Sequence, residues 1–234
     1  MYLCDKKIPV NTYILNIETA TINCSVSIAK NGELLIYKDI NTGNYSHAEQ
    51  LHPLIDTLLN EAGLELKDFS AIAVGKGPGS FTGLRIGVSA AKGLCFALEI
   101  PLLAIDSLSI LAHSLEIEKG FIIPLIDARR MEVYTAVYDS DYKMIDPIQA
   151  KILDSESFNV FLEESPIYFI GDGVEKFQEV CKHSNAIFKD NVWPSAKQMA
   201  KLSYHKYKIS DTEDVAYFEP FYLKDFLILK SKKN

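Results

Sequence analysis

The N-terminal part of the chain alternates apolar and polar residues in a way that predicts β-strands. YILNIETAT is an apolar run that ends at a carboxylate, Glu18, followed by hydroxyl residues. In NCSVSIAK, Val26 and Ile28 alternate with serines, which predicts a strand with one apolar face. Asn-Gly then predicts a tight hairpin turn, and LLIYKDI returns as a third strand. These residues together predict a three-stranded antiparallel meander.

A helical pattern follows the meander. The apolar residues that recur at helical spacing are Leu51, Leu54, Ile55, Leu58, Leu59 and Ala62. Gly63 suits the end of this helix, whereas Pro53 predicts a kink or a later start. A buried strand is then predicted in FSAIAVGKG, a helix in SFTGLRIGVSAAKGLCFALEI, a strand in PLLAID and a helix in SLSILAHSLEIE. The first half therefore predicts a mixed sheet with helices on its faces.

The second half begins with the same pattern as the first. FIIPLIDARRMEVYTAVYDSDYKMI is an apolar run that ends at Asp127, followed by an alternating strand, a polar turn and another strand. Glu18 and Asp127 stand at equivalent places in the two patterns. We interpret this as a duplication into two related α/β halves, residues 1–115 and 116–234, with a carboxylate from each directed into a shared cleft. The alternative is coincidence, because strand, acid and hairpin form a common pattern.

The C-terminal part carries two further signals. SPIYFIGDGVEKF predicts a strand that ends in a Gly-Asp-Gly turn. PSAKQMAKLSYHKYK predicts a helix with Ser195 as its N-terminal cap.

The loop AVGKGPGSFTGLRIG contains five glycines and leads into a helix. It lacks the GxxxxGK[ST] spacing of a P-loop. Gly77 and Gly79 fit the start of a dinucleotide-binding fingerprint, but Thr82 occupies the position of its third glycine. Since a helix N-terminus offers free N–H groups to an anion, phosphate contact stays an open alternative.

The helix after this loop is apolar around most of its circumference. Its narrow polar stripe consists of Arg85, Ser89, Lys92 and Glu99. Gly83, Gly87 and Ala91 recur at every fourth position, a spacing that allows another helix to approach closely. One face can pack on the sheet, and the other needs a second cover. That cover is either another helix of this chain or a partner subunit.

Composition narrows the function classes. The 234 residues carry a formal net charge of -7 and only three arginines, so we expect no extensive RNA-binding face on this chain alone. The four scattered cysteines form no CxxC pair, which predicts free thiols and no zinc site. The N-terminus has no apolar leader, and Glu99, Pro101 and Asp106 interrupt the most apolar window. These features predict a cytoplasmic protein without a membrane segment.

Several of these motifs together resemble one known family. GKGPGSFTGLRIG, preceded by ETAT and SHAEQLHPLI and followed by IDARRMEVY and GDG, is similar to the bacterial TsaB (YeaZ) family of tRNA threonylcarbamoyladenosine biosynthesis. The resemblance covers the first ~140 residues well, and such a match is far more specific than a glycine triplet. It implies an α/β fold with a duplicated RNase H-like unit of the actin/Hsp70/sugar-kinase (ASKHA) type, with two mixed β-sheets flanked by helices.

The resemblance also implies a role. TsaB-like proteins are regarded as non-catalytic partners of a related transferase, TsaD, which modifies adenosine 37 of tRNAs that read ANN codons. An ATPase, TsaE, completes the complex. For this chain the resemblance implies no catalytic residues, no metal, no cofactor when isolated, and tRNA contact only through the complex. ATP with Mg at a subunit junction is left open.

Two sets of residues are candidates for the remnant of a nucleotide-binding site. They are the strand-end carboxylates, Glu18 and Asp127, and the loop glycines, Gly77 and Gly79. Glu18 stands where the family usually has an aspartate, and its longer side chain moves the carboxylate. That departure weakens any inference that it positions a metal-bound nucleotide.

The apolar faces of these two helices, together with the resemblance, lead to a prediction about association. Two copies of the helix after the glycine loop, each with the amphipathic helix before it, would form a four-helix bundle across a two-fold axis. We predict a homodimer when the chain is alone, with TsaD taking the same surface. The predicted interface residues are Leu51, Leu54, Leu58, Gly83, Gly87 and Ala91. Gly87→Arg is expected to weaken both contacts and to leave the monomer folded.

Two other function classes are weighed against this role. An active ASKHA nucleotide hydrolase or small-molecule kinase would show tight ATP binding by the isolated chain. A glycoprotease-like peptidase needs a nucleophile and a base, and no such arrangement follows from the spacing. His47 and His52 are spaced i, i+5 rather than the i, i+4 of a helical metal pair, which favours surface histidines over a metal site.

Overall fold

The chain builds two five-stranded sheets, one from each half of the sequence. The structure, a computed structural model, describes residues 11–43 and 46–224. In the first sheet the strand order is β3-β2-β1-β4-β5, with antiparallel pairing among the first three strands and parallel pairing of β1 with β4 and of β4 with β5. The predicted meander is therefore confirmed. The strands are β1 (Tyr13–Glu18), β2 (Cys24–Lys30), β3 (Glu33–Ile40), β4 (Phe69–Gly77) and β5 (Leu102–Asp106).

The second sheet repeats this arrangement. Its order is β10-β9-β6-β7-β8, with β6, β7 and β8 antiparallel and with β9 parallel to both β6 and β10. Each leading strand, β1 or β6, is therefore central, with a hairpin on one side and parallel strands on the other. This confirms the predicted duplication of the fold. The strands are β6 (Phe121–Asp127), β7 (Glu132–Asp139), β8 (Met144–Ile152), β9 (Ile167–Ile170) and β10 (Ala186–Lys189).

Helices cover both faces of the first sheet because alternate strand residues point to opposite sides. Leu15 and Ile17 of β1 join a core with helices α1 (His47–Ala62) and α2 (Phe81–Leu98). Ile14 of β1 faces the other side, where α3 (Ser107–Ala112) and α6 (Met199–Lys208) pack. Helices α4 (Asn159–Leu162) and α5 (Val174–Val180) belong to the second half. Pro53 lies within α1, which continues through it to Ala62 although Pro53 has no N–H to donate.

The chain returns to the first sheet after completing the second. A 3-10 helix, Ala196–Gln198, leads directly into α6, and Ser195 caps it by accepting a hydrogen bond from the N–H of Lys197. Farther on, Glu213 bridges to Leu102 of β5. The first sheet is thus completed by residues from the C-terminal end, while a boundary between halves at residue 115 stays a prediction.

Among the described residues, α2 is the one helix with the length and apolar composition of a membrane span. Its inner face packs into the core of the first sheet through Val88, Ala91 and Cys95. Arg85 on the same helix is exposed. Helix α2 therefore packs one side against the sheet and leaves the other side exposed.

Candidate functional site

Glu18 ends β1 in the interior of the protein. Its side chain is fully buried: one carboxylate oxygen accepts a hydrogen bond from the N–H of Ala20 at 2.6 Å, and the other accepts one from the hydroxyl of Ser107 at 2.9 Å. A Cβ atom at Gly75 would lie 2.1 Å from Glu18 Oε2, so the absence of a side chain there makes room for the carboxylate. Both oxygens are engaged within the chain.

Burial raises the pKa of Glu18 from 4.5 to about 7, and the hydrogen bonds from Ala20 and Ser107 only partly offset it. The folded protein therefore holds this proton more tightly than the unfolded chain. Its contribution to the free energy of unfolding is fully present below pH 4.5 and is lost as the pH rises towards 7. The total loss is about 3 kcal/mol, at about 1.4 kcal/mol for each pKa unit.

We expect Glu18→Gln to flatten the stability profile between pH 4.5 and 7. The neutral amide can accept from the N–H of Ala20 and donate to Ser107, and it has no proton to lose. Urea unfolding at stepped pH measures the difference between variant and parent, which should grow in favour of the variant by about 3 kcal/mol across this window. A stability difference that does not change with pH contradicts the raised pKa of Glu18.

Asp127 ends β6 at the equivalent place, but its surroundings are different. Its carboxylate is exposed and pairs with Lys176 Nζ at 2.7 Å, and it also accepts the N–H of Arg129 at 2.5 Å. The N–H of Asp127 donates to the carboxylate of Asp172 at 2.8 Å, and burial raises the pKa of Asp172 to about 6. The two strand-end carboxylates thus have separate sets of partners. Glu18 is enclosed, and only Asp127 is accessible to solvent.

Sequence reasoning missed Asp172 and Lys176. Both lie in GDGVEK, which follows β9, and Lys176 also donates to the carbonyl oxygens of Arg130 and Glu132. The Gly-Asp-Gly turn was the available signal. Parallel pairing of β6 with β9 brings that turn beside Asp127.

The loop glycines make room for the turn between β1 and β2. A Cβ atom at Gly79 would lie 2.4 Å from the carbonyl oxygen of Ala20, and the N–H of Ser80 donates to that same oxygen at 2.6 Å. Gly77 has a φ of 103°, and a Cβ atom there would lie 2.9 Å from Leu84 Cδ1. The space that the glycines provide is therefore occupied by protein atoms.

The glycines of α2, Gly83 and Gly87, make room for the same turn after β1. A Cβ atom at Gly83 would lie 2.2 Å from the carbonyl oxygen of Thr19, and one at Gly87 would lie 2.3 Å from Thr19 Oγ1. The hydroxyl of Thr19 donates to the carbonyl of Gly83 at 2.8 Å. The small residues thus seat α2 on the turn after β1. A Cβ atom at Gly83 would also lie 3.2 Å from the ring of His47, so α1 is a neighbour of α2 at this end, as the sequence predicted.

The six predicted interface residues all lie in the interior. Leu51, Leu54, Leu58, Gly83, Gly87 and Ala91 are buried within the monomer. Gly87→Arg is therefore not a surface substitution, and the expectation that it leaves the monomer folded is corrected. Apolar periodicity identifies the side of a helix that is buried, and here that side faces the chain's own sheet.

The exposed sides of α1 and α2 form a shallow groove. The α1–α2 groove is lined by Ala48, His52, Arg85, Ile86, Ser89, Ala90, Gly93 and Leu94. A Cβ atom at Gly93 would meet nothing within 4 Å. Phe96, also on α2, is 81% exposed. The pair of helices therefore presents small and apolar side chains to solvent, interspersed with the polar residues His52, Arg85 and Ser89.

The two histidines of α1 have different environments. His47 is buried, its Nε2 lies 2.7 Å from the carbonyl oxygen of Thr21, and burial lowers its pKa. The expectation of a surface histidine is wrong for His47, and it holds for His52, which is exposed. Across residues 11–43 and 46–224, no three His, Cys, Asp or Glu side chains lie together where they could hold a metal.

Comparisons with known proteins identify the family to which this chain belongs. A family model described as TsaD, tRNA N6-adenosine threonylcarbamoyltransferase, matches residues 42–227. The TsaB protein of Bacillus subtilis is 32% identical over 68% of this chain and 70% of its own length. The chain belongs to the TsaB family. The TsaB protein of Escherichia coli is 29% identical over 91% of this chain and 94% of its own length.

Solved structures agree with the TsaB assignment. YeaZ from Pseudomonas aeruginosa is 30% identical, covers 91% of this chain with all of its own length, and superimposes with a TM-score of 0.76. The repeated sheets are those of the duplicated RNase H-like, ASKHA-type fold that the TsaB resemblance implied.

Proposed function

We propose that this chain is a non-catalytic subunit in the biosynthesis of threonylcarbamoyladenosine at position 37 of tRNAs that read ANN codons. One observation carries the proposal. The chain aligns with 94% of the Escherichia coli protein described as tRNA threonylcarbamoyladenosine biosynthesis protein TsaB. The match spans both sheets, so the proposal concerns the whole chain.

The geometry of the strand ends and the glycine loop supports a non-catalytic role. The carboxylate of Glu18 is enclosed and uses both oxygens within the chain. Asp127 is paired with Lys176, and the space that Gly79 provides is taken by Ala20. An ATP phosphate bound at this loop would need the backbone N–H groups of the loop and the space that Ala20 occupies. Gly77, Gly79, Glu18 and Asp127 are accordingly proposed as remnants of a nucleotide site.

We further propose a TsaD-type transferase and a TsaE-like ATPase as partners, in the cytoplasm, and a homodimer when the chain is alone. The α1–α2 groove is the proposed contact surface, in place of the buried residues that the sequence predicted. An exposed apolar helix face favours burial against a second surface. ATP with Mg at a subunit junction stays part of the proposal, and tRNA is bound through the complex.

We expect depletion of this protein in its host to remove threonylcarbamoyladenosine from cellular tRNA. The measurement is mass spectrometry of nucleosides from total tRNA, before and after depletion. A plasmid copy of the parent gene should restore the modified nucleoside, which controls for indirect effects. Normal levels after complete depletion contradict the proposed function.

A further inference from the structure

The C-terminal helix region concentrates positive charge in an acidic protein. Residues 191–210 contain four lysines and His205 but no aspartate or glutamate, whereas the whole chain has a formal net charge of -7. The acidic residues are therefore concentrated elsewhere. The negative net charge of the whole chain therefore coexists with a local surface that is positively charged.

These basic residues follow one side of the helix. Lys201, His205 and Lys208 are exposed at positions i, i+4 and i+7 of α6, and Lys197 lies in the 3-10 helix that precedes it. At 1.5 Å per residue, His205 lies about 6 Å along the axis from Lys201 and about 4.5 Å from Lys208. We call Lys197, Lys201, His205 and Lys208 the α6 face.

Two tyrosine rings support the ends of the α6 face. Lys197 Nζ lies 5.3 Å from the ring centre of Tyr37, which is itself 43% exposed, and Lys208 Nζ lies 5.0 Å from that of Tyr204. Such contacts orient an ammonium group without neutralising its charge. The lysines therefore keep their capacity to bind an anion.

Carboxylates near the α6 face have other partners. Asp211 pairs with Lys206, which lies outside the face, and Asp39 accepts a hydrogen bond from Ser195 at 2.8 Å. In the part of the chain that the structure describes, no carboxylate lies within 4 Å of the ammonium groups of the three lysines of the α6 face.

The helix that carries the face is held firmly against the first sheet. Met199, Ala200 and Ser203 are its buried residues. Just before it, the N–H of Ala196 donates to Ser25 Oγ at 2.7 Å, and Ser27 Oγ donates to the carbonyl of Ala196 at 2.7 Å. The cations are therefore mounted on a fixed element, which suits contacts that need a constant spacing.

We propose that the α6 face binds the phosphodiester backbone of RNA. The inference rests on the proposed function, which supplies tRNA as the polyanion, and on charge complementarity along a line of cations. The contacts are to phosphates, so they carry no sequence preference. About three such contacts, one for each lysine, give weak binding by the isolated chain at physiological salt and add to the affinity of an assembled complex.

The test compares two triple variants of the full chain. Lys197→Gln/Lys201→Gln/Lys208→Gln removes the lysines of the α6 face, and the control removes three exposed lysines of the second half. The control variant is Lys119→Gln/Lys143→Gln/Lys182→Gln. Both lose the same charge, so a general effect of net charge is equal in the two. Fluorescence anisotropy with a labelled unmodified tRNA transcript is measured at stepped salt.

For the parent we expect log affinity to fall with log salt at a slope of about -2 to -3. The α6 variant should bind about tenfold more weakly at roughly 50 mM salt, with a slope smaller by about 2, whereas the control should stay within about twofold of the parent. Thermal melting of each variant establishes that it is folded. Equal loss in both variants, or no loss in the α6 variant, overturns the proposal.

Two further outcomes have defined meanings. Lysine-dependent binding to phosphatidylserine vesicles without binding to tRNA overturns the proposal in favour of a membrane surface. Normal threonylcarbamoyladenosine after depletion of the protein overturns the proposed function, whereas the anisotropy comparison still decides whether the α6 face binds RNA. The two failures are therefore distinguishable.

Discussion

Gly93→Arg is expected to abolish self-association and partner binding while leaving the chain folded. Gly93 lines the α1–α2 groove, and a Cβ atom there would meet nothing within 4 Å in the monomer. In a docked pair, the guanidinium would be buried without a partner, which costs several kcal/mol. We expect a loss of about 100-fold or more in affinity. Sedimentation and a pull-down with the host's TsaD-type protein measure it.

The control for Gly93→Arg is Gln178→Arg, which adds the same side chain at an exposed position of α5 in the second half. It should leave association unchanged. If Gly93→Arg is folded, dimeric and fully competent to bind the TsaD-type protein, the α1–α2 groove is not the contact surface. Unfolding of Gly93→Arg would contradict the open space that the structure shows around that residue.

We also expect substitution of glycine by alanine to have opposite effects on stability at two positions of α2, Gly83 and Gly93. Gly83→Ala should destabilise the protein by about 2 kcal/mol or more, because the added methyl group overlaps the backbone oxygen of Thr19 at 2.2 Å. Gly93→Ala should stabilise it by about 0.5 to 1 kcal/mol, because alanine favours a helix and the site is open. The two Tm values should therefore move apart by roughly 5 to 10 °C.

Each alanine variant acts as the control for the other, because the residue types and the helix are the same. Thermal unfolding followed by circular dichroism measures both. Destabilisation of similar size at both positions would mean that the packing of Thr19 against α2 does not decide the effect. Stabilisation at Gly83 would mean that α2 and the turn after β1 are farther apart than the structure places them.

Local patterns predicted the strands, the hairpins and the duplication. The alternation of Val26 and Ile28 with serines, and the Asn-Gly turn, depend on neighbouring residues only, and they formed β2 and β3 as expected. The duplication could be predicted because the same local order occurs twice. Equivalent positions of Glu18 and Asp127 at the ends of β1 and β6 follow from that order.

Burial at these positions could not be predicted from local patterns. Glu18 is enclosed by Ser107, 89 positions away, and Gly83 contacts Thr19, 64 positions away. A glycine repeat shows that something approaches a helix closely but does not identify it. The nearest element at Gly83 and Gly87 was the turn after β1, so the stripe assigned to an interface proved to be part of the monomer's core.

The return of α6 to the first sheet affects when that sheet can finish folding during translation. Ile14 of β1 shares a core with Ala196 and Met199, so β1 is synthesised long before the residues that cover this face. Until then, one face of that sheet lacks part of its cover, and the nascent chain exposes apolar surface for most of its translation. A stop codon anywhere before α6 consequently removes the closing layer of the earliest sheet, not merely a terminal appendage.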